Sequence, residues 1–215
     1  IFNSTNSRIK NSKARYNGEL STKPFNLDFN IHLDNYDLRK FFNPNSILNE
    51  LIRTNLLFNE SISMNTSITT SSYPKNRIFQ GAKINLNIID GKLNINKTRL
   101  TNNKIGLLEF DNSNLSYENN KLILNTNVMI IIKDSGKLFS LLQTNKKFRK
   151  LITKISINLD YNFLTKKINF NNVKIDNQEI NNELLRIIEG FNDEDLNNWN
   201  KSKRLLNAFF EIYEG

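Results

Sequence analysis

The chain has 215 residues, a net charge of +9, no cysteine and one histidine, a length sufficient to bury a core as one domain. The missing cysteines exclude disulfides, thiol nucleophiles and thiolate metal sites, and the single histidine leaves any triad or histidine-held zinc resting on one residue. No apolar run approaches the roughly 20 residues that a membrane-spanning helix needs, and none of the 7 glycines falls in a phosphate-loop pattern.

The chain begins at Ile1 with neither an initiator Met nor an apolar leader. Residues 1–15 are therefore expected to be an arm leading into the fold of a longer protein, with any membrane anchor upstream. Period-two alternation, the mark of a half-buried strand, sets in next: from Phe25 to Leu33 every odd position is apolar and every even one polar. A helical stretch is predicted over 35–57, broken by Pro44, with Ser46 capping its second half and Ile47/Leu51 and Leu48/Ile52 on one side.

Alternation returns at Ile84, Leu86 and Ile88, and Asp90-Gly91 predicts a hairpin into a strand over 92–97. Asn119-Asn120 is expected to turn a strand at 114–117 into another at 121–132, where Leu122, Leu124, Val128, Ile130 and Ile132 alternate. A helix is predicted over 135–151, with Leu138, Leu141, Leu142 and Phe148 covering apolar surface and Lys146, Lys147, Arg149 and Lys150 on its solvated face.

A strand carrying Ile155, Ile157, Leu159, Tyr161 and Phe163 follows, and Thr165-Lys166 turns it back into 167–175. Two helices close the chain, one striped by Ile180, Leu184, Ile187 and Phe191, the other by Leu196, Trp199, Leu206, Phe210 and Tyr213. Asp193 to Asp195 at the start of the last helix, with Lys201, Lys203 and Arg204 after them, suit its dipole. Its stripe has two uses open to it: docking on the end of the sheet, or contacting a membrane or partner.

The short connections imply an antiparallel meander. The expected fold is β-rich α+β: about nine strands in a curled meander with one apolar face and inserted helices over 16–176, then a C-terminal helical pair over 177–215. His32 sits on the polar side of its strand, and Asp28, four residues back, is too far along the strand to touch it. Glu179 and Glu183 fall at exposed helical positions. No catalytic residue, metal or cofactor is expected.

The abundance of Asn, Ile, Lys and Phe matches AT-rich coding better than any one function, so triplets such as Asn96-Lys97-Thr98 say little about glycosylation. The basic balance admits nucleic acid or an anionic membrane as partner. Nucleic acid is disfavoured, because no strand face interleaves basic residues with stacking aromatics. A one-faced sheet has its apolar side covered either by protein or by a ligand such as lipid.

The segments Asn17-Gly18-Glu19-Leu20 and Pro24-Phe25-Asn26-Leu27, a strand over 61–70, and the Ile84–Ile95 hairpin with its Asp90-Gly91-Lys92-Leu93 turn together resemble the C-terminal region of the AsmA family, related to TamB. The resemblance covers most of 16–176. It implies a non-catalytic periplasmic envelope protein, anchored in the inner membrane outside this stretch, whose sheet groove carries phospholipid and supports outer-membrane biogenesis. The groove would be lined here by Leu86, Ile88, Leu93, Ile95, Leu122, Leu124, Ile155, Ile157 and Leu159. The alternative is a scaffold with a sealed core that binds a protein partner through Trp199, Leu206 and Phe210 of the C-terminal helix.

Overall fold

The computed structural model describes residues 1–9, 11–36, 58–71, 78–118, 121–165, 167–190 and 199–213. The alternating segments become strands β1 (Phe2–Ile9), β2 (Ser12–Thr22), β3 (Phe25–Asp34), β4 (Ile62–Ser71), β5 (Gly81–Ile89) and β6 (Lys92–Asn94). They continue as β7 (Thr98–Asn102), β8 (Gly106–Glu118), β9 (Lys121–Ile132), β10 (Lys154–Asn162), β11 (Lys167–Ile175) and β12 (Gln178–Glu179). Among the described residues the helices are α1 (Ser135–Leu142), α2 (Asn182–Glu189) and α3 (Trp199–Ile212), with a 3-10 turn at Lys146–Phe148.

All twelve strands belong to one sheet, which follows chain order from β1 to β12 except that β7 pairs with β5 and β8 to the side of the path. A twisted sheet of this width curls instead of lying flat. The expected meander is thus present, with one departure: β3 and β4 run parallel, from Phe25↔Ile62 to Asp34↔Ser71. A parallel pair needs a long crossover, and the connection over 35–61 is that crossover. The helix expected there lies for the most part outside the described residues, as do Asn119-Asn120, Lys166, Phe191 and the stretch from Asp193 to Leu196.

Residues 1–15, expected as an arm, instead supply β1 and the start of β2. Their low apolar content hid an alternation that the structure uses. Phe2 pairs opposite Gly18, and its ring lies 6.3 Å from Tyr16 and 5.7 Å from Phe29. The absent side chain of Gly18 is what makes room: a Cβ there would sit 2.5 Å from the Phe2 ring.

The Asp90-Gly91 hairpin forms as expected, with φ of 50° and 68° at its two central residues, the backbone that a tight two-residue hairpin requires. The strand expected over 92–97, however, breaks after Asn94, and β6 and β7 share one strand's width between β5 and β8. Side chains satisfy the backbone groups released by the break. Ser113 Oγ accepts from Ile95 N at 2.7 Å, Asn96 Oδ1 accepts from Ser113 N at 2.6 Å, and Thr98 Oγ1 accepts from Asn85 N at 3.0 Å.

The helix expected over 135–151 ends at Leu142. Gln143 adopts a left-handed φ of 60°, and the next amide, that of Thr144, donates to Phe139 O at 3.0 Å. This is a Schellman-type stop made without glycine, so no sequence signal marked it. Lys146, Lys147, Arg149 and Lys150 consequently stand on a short 3-10 turn and loop, not on a helix face.

A second two-residue turn, Asp176-Asn177, joins β11 to β12 with φ of 48° and 71°. Partial burial pushes the Asp176 carboxyl up, but hydrogen bonds from Thr153 Oγ1 (2.5 Å), Thr153 N (2.9 Å) and Lys154 N (2.8 Å) outweigh it and hold the group below the usual carboxylate range. A lowered folded-state value stabilises above the unfolded value, about 4, and that contribution disappears as pH falls through the folded value. Asp176→Asn keeps tolerance of the left-handed backbone and removes the charge. It is expected to cost about 1 kcal/mol at neutral pH, after discounting for exposure, and less at about pH 3, which lies below the unfolded value of about 4. Urea unfolding at the two pH values checks this, and an equal loss at both would refute it.

Candidate functional site

The strand registers bring the alternating residues of the whole sheet onto one face. The row Leu20–Leu27–Met64–Ile88–Leu93–Leu115–Leu124–Tyr161–Ile168 crosses nine strands through directly opposed pairs, and every member is apolar. Toward the opposite end of the strands, Leu33, Thr70, Ala82, Leu100, Leu108, Ile130, Ile155 and Ile175 form a second row on the same face. One residue out of phase, on the other face, runs Arg15–His32–Thr69–Lys83–Arg99–Glu109. The sheet is therefore two-sided, with a hydrocarbon face and a polar, basic face.

Eight of the expected groove residues stand on strands of the apolar face, and Ile95 follows β6 and packs against the same cluster. Their exposure divides them. Leu86, Ile88, Leu93 and Leu122 are buried with Leu115 in a cluster at the middle of the sheet, Ile88 and Leu93 at 0% exposure. These four form core and are not free to line an open trough. Phe58 and Phe163 pack over the same cluster, and Phe58 also approaches the Tyr117 ring at 6.4 Å.

Ile155 packs beneath the helices, while Ile95, Leu124, Ile157 and Leu159 remain half-buried. Further open apolar surface lies where sequence reasoning had not placed it, around the β2–β3 turn and along the β10–β11 hairpin. At the β2–β3 turn Leu20 is 50% exposed and Phe25 also reaches solvent, with Leu27 and Phe29 half-buried, and on the β10–β11 hairpin Tyr161 and Phe170 are half-buried.

The helices cover the other end of this face. Ile132, Ile152 and Ile175 are buried with Phe139 and Leu142 of α1, Leu184 of α2, and Phe209 and Phe210 of α3. Phe210, expected at a partner contact, is 2% exposed and meets Phe139 edge-on at 5.0 Å. Trp199 and Leu206 pack against the same cluster. The stripe of α3 is thus spent on its own sheet, because the β9–β11 end would otherwise leave large apolar side chains in water. Half-buried Asn207 fixes the helix further: Thr144 Oγ1 donates to Asn207 Oδ1 at 2.6 Å, and Asn207 Nδ2 donates to Leu142 O at 2.8 Å.

On the polar face, a shallow depression of about 480 Å³ lies over β1–β4, lined in part by Arg15, Asn30, His32, Ser67 and Thr69. His32 does have partners there: Asp34 Oδ1 lies 2.9 Å from Nε2 and Thr69 Oγ1 lies 2.9 Å from Nδ1. The order Asp–His–Thr is that of a hydrolytic triad. Its setting is different, since His32 and Asp34 are both about one-third exposed and Thr69 lies in β4, paired on both sides by β3 and β5. The ladders engage the backbone amides around Thr69, so none is placed to hold an oxyanion.

Among the described residues, no helix is long and apolar enough to cross a membrane. No protein-family model, no curated protein and no solved structure matches the chain.

Proposed function

We propose that the protein is a non-catalytic lipid-handling module that holds phospholipid acyl chains against the open parts of its apolar sheet face. The observation that carries this reading is the unbroken nine-residue apolar row. The three described helices cover the β9–β11 end of the face and leave exposed apolar surface at the β2–β3 turn. A hydrocarbon chain is held by area alone: at about 0.8 kcal/mol per buried methylene, a sixteen-carbon chain gains on the order of 12 kcal/mol without any specific polar contact. The AsmA-like hairpin and segments of the sequence agree with this role. With them go a place in the periplasm, anchorage in the inner membrane through a segment outside this stretch, and a part in outer-membrane biogenesis.

Uptake of a fluorescent phospholipid by delipidated protein tests the proposal. Leu20→Gln and Leu159→Gln, both at positions not fully buried, are each expected to weaken uptake about tenfold. Ser156→Asp, on the opposite face of β10, should leave it unchanged. Wild-type protein that never takes up the lipid would defeat the proposal. It would favour a scaffold with a sealed core, to which the 0% exposure of Ile88 and Leu93 already lends weight.

A further inference from the structure

Between Lys133 and Lys154 the chain carries seven basic residues against the single acid Asp134. The densest part is the loop after α1, and the fold pins that loop at both ends. Thr144 is 2% exposed and bound to Asn207, and Ile152 is 1% exposed in the helix–sheet cluster. Thr153 is tied through its amide and hydroxyl to Asp176.

Within the loop, Asn145 accepts from Lys147 N, Phe148 N donates to Asn145 O at 3.0 Å, and Arg149 Nε donates to Thr144 O at 3.0 Å. The backbone is fixed, yet Lys146, Lys147, Lys150 and Leu151 all project into solvent. Leu151 is 82% exposed immediately beside the buried Ile152. Lys147 Nζ sits 4.5 Å above the ring of Phe148, which is itself half-buried.

We infer that this loop, Lys146 to Leu151, docks the protein on the surface of a membrane containing anionic phospholipid. The two kinds of side chain call for both layers of such a surface: the lysines for the negative headgroups, and Leu151 for the apolar layer just beneath them. A nucleic acid backbone would use the lysines and give Leu151 nothing to bury against. Asp134 caps α1 through Lys137 N and Asp176 is bound by Thr153 and Lys154, so the two neighbouring carboxylates are engaged by backbone and hydroxyl donors and not by the lysines of the loop. The choice of a lipid surface rests on the lipid-handling reading, but the two ideas fail separately.

Co-sedimentation of the purified chain with phosphatidylcholine vesicles, with and without phosphatidylglycerol, tests the inference. Binding is expected to the anionic vesicles, weakening with salt. The triple variant Lys146→Gln, Lys147→Gln, Lys150→Gln should bind on the order of 100-fold more weakly, at about one kcal/mol per lysine. Leu151→Gln should bind about tenfold more weakly with an unchanged salt dependence. Because all four side chains are exposed, the variants should keep the wild-type urea midpoint, which confirms that they fold.

No binding to anionic vesicles, or equal binding by the triple variant, overturns the inference. So does duplex DNA binding that is tighter than vesicle binding and indifferent to Leu151→Gln. Failed docking with normal uptake of fluorescent phospholipid overturns docking alone, and docking without uptake overturns the lipid-groove reading alone.

Discussion

Phe210→Ala is expected to destabilise the protein by about 4 kcal/mol in chemical denaturation, the largest loss we predict for a truncation. The ring is 2% exposed and lies edge-on to Phe139 at 5.0 Å and to Phe209 at 5.3 Å, a geometry that adds to the burial itself. Through Phe139 and Ile175 it joins α3 to α1 and to the last long strand of the sheet. The cavity left by truncation would therefore lie between elements that hold one another. A loss below about 1 kcal/mol would mean that α3 does not dock on the sheet and keeps its stripe for a partner.

Gly106→Ala is expected to cost about 3 kcal/mol for a different reason. Gly106 opens β8 at a φ of 150°, and a Cβ there would lie 1.9 Å from the carbonyl oxygen of Ile131 on the neighbouring strand. No side chain can rotate to relieve that contact, because the obstacle is backbone. Gly81 is the internal control: it also starts a strand, but its nearest neighbour to a new Cβ is Thr70 O at 3.7 Å, an ordinary contact. Gly81→Ala should change stability by less than about 1 kcal/mol. Equal effects at the two positions would contradict the β8–β9 register described.

These sites show what the sequence did and did not reveal. Alternation over Phe25–Leu33 and Ile84–Ile88 gave away the one-faced sheet, since a period of two is a property of the strand itself. Asp90-Gly91 named its own turn. Register is a relation between strands, and nothing in Leu93 or Leu115 announces that they stand opposite each other. The breaks that adjust register, at 111–114 in β8 and 158–159 in β10, were equally silent.

The parallel β3–β4 pair was missed because its crossover, the connection over 35–61, was read simply as an inserted helix within a meander. The groove residues were placed on the correct face, but their burial depends on what crosses over them, as Phe58 does over the middle cluster. Alternation cannot convey that. Phe209, three residues after Leu206 and four before Tyr213, lies on the same helical face as the named stripe and is buried with it, so it was legible in the periodicity and overlooked.

Native mass spectrometry of the gently purified chain measures most directly whether the hydrocarbon face holds lipid. The account predicts protein carrying one or more adducts of phospholipid mass, diminished in Leu20→Gln and Leu159→Gln. A bare protein mass after purification from lipid-rich cells, unchanged on incubation with phospholipid, would contradict it.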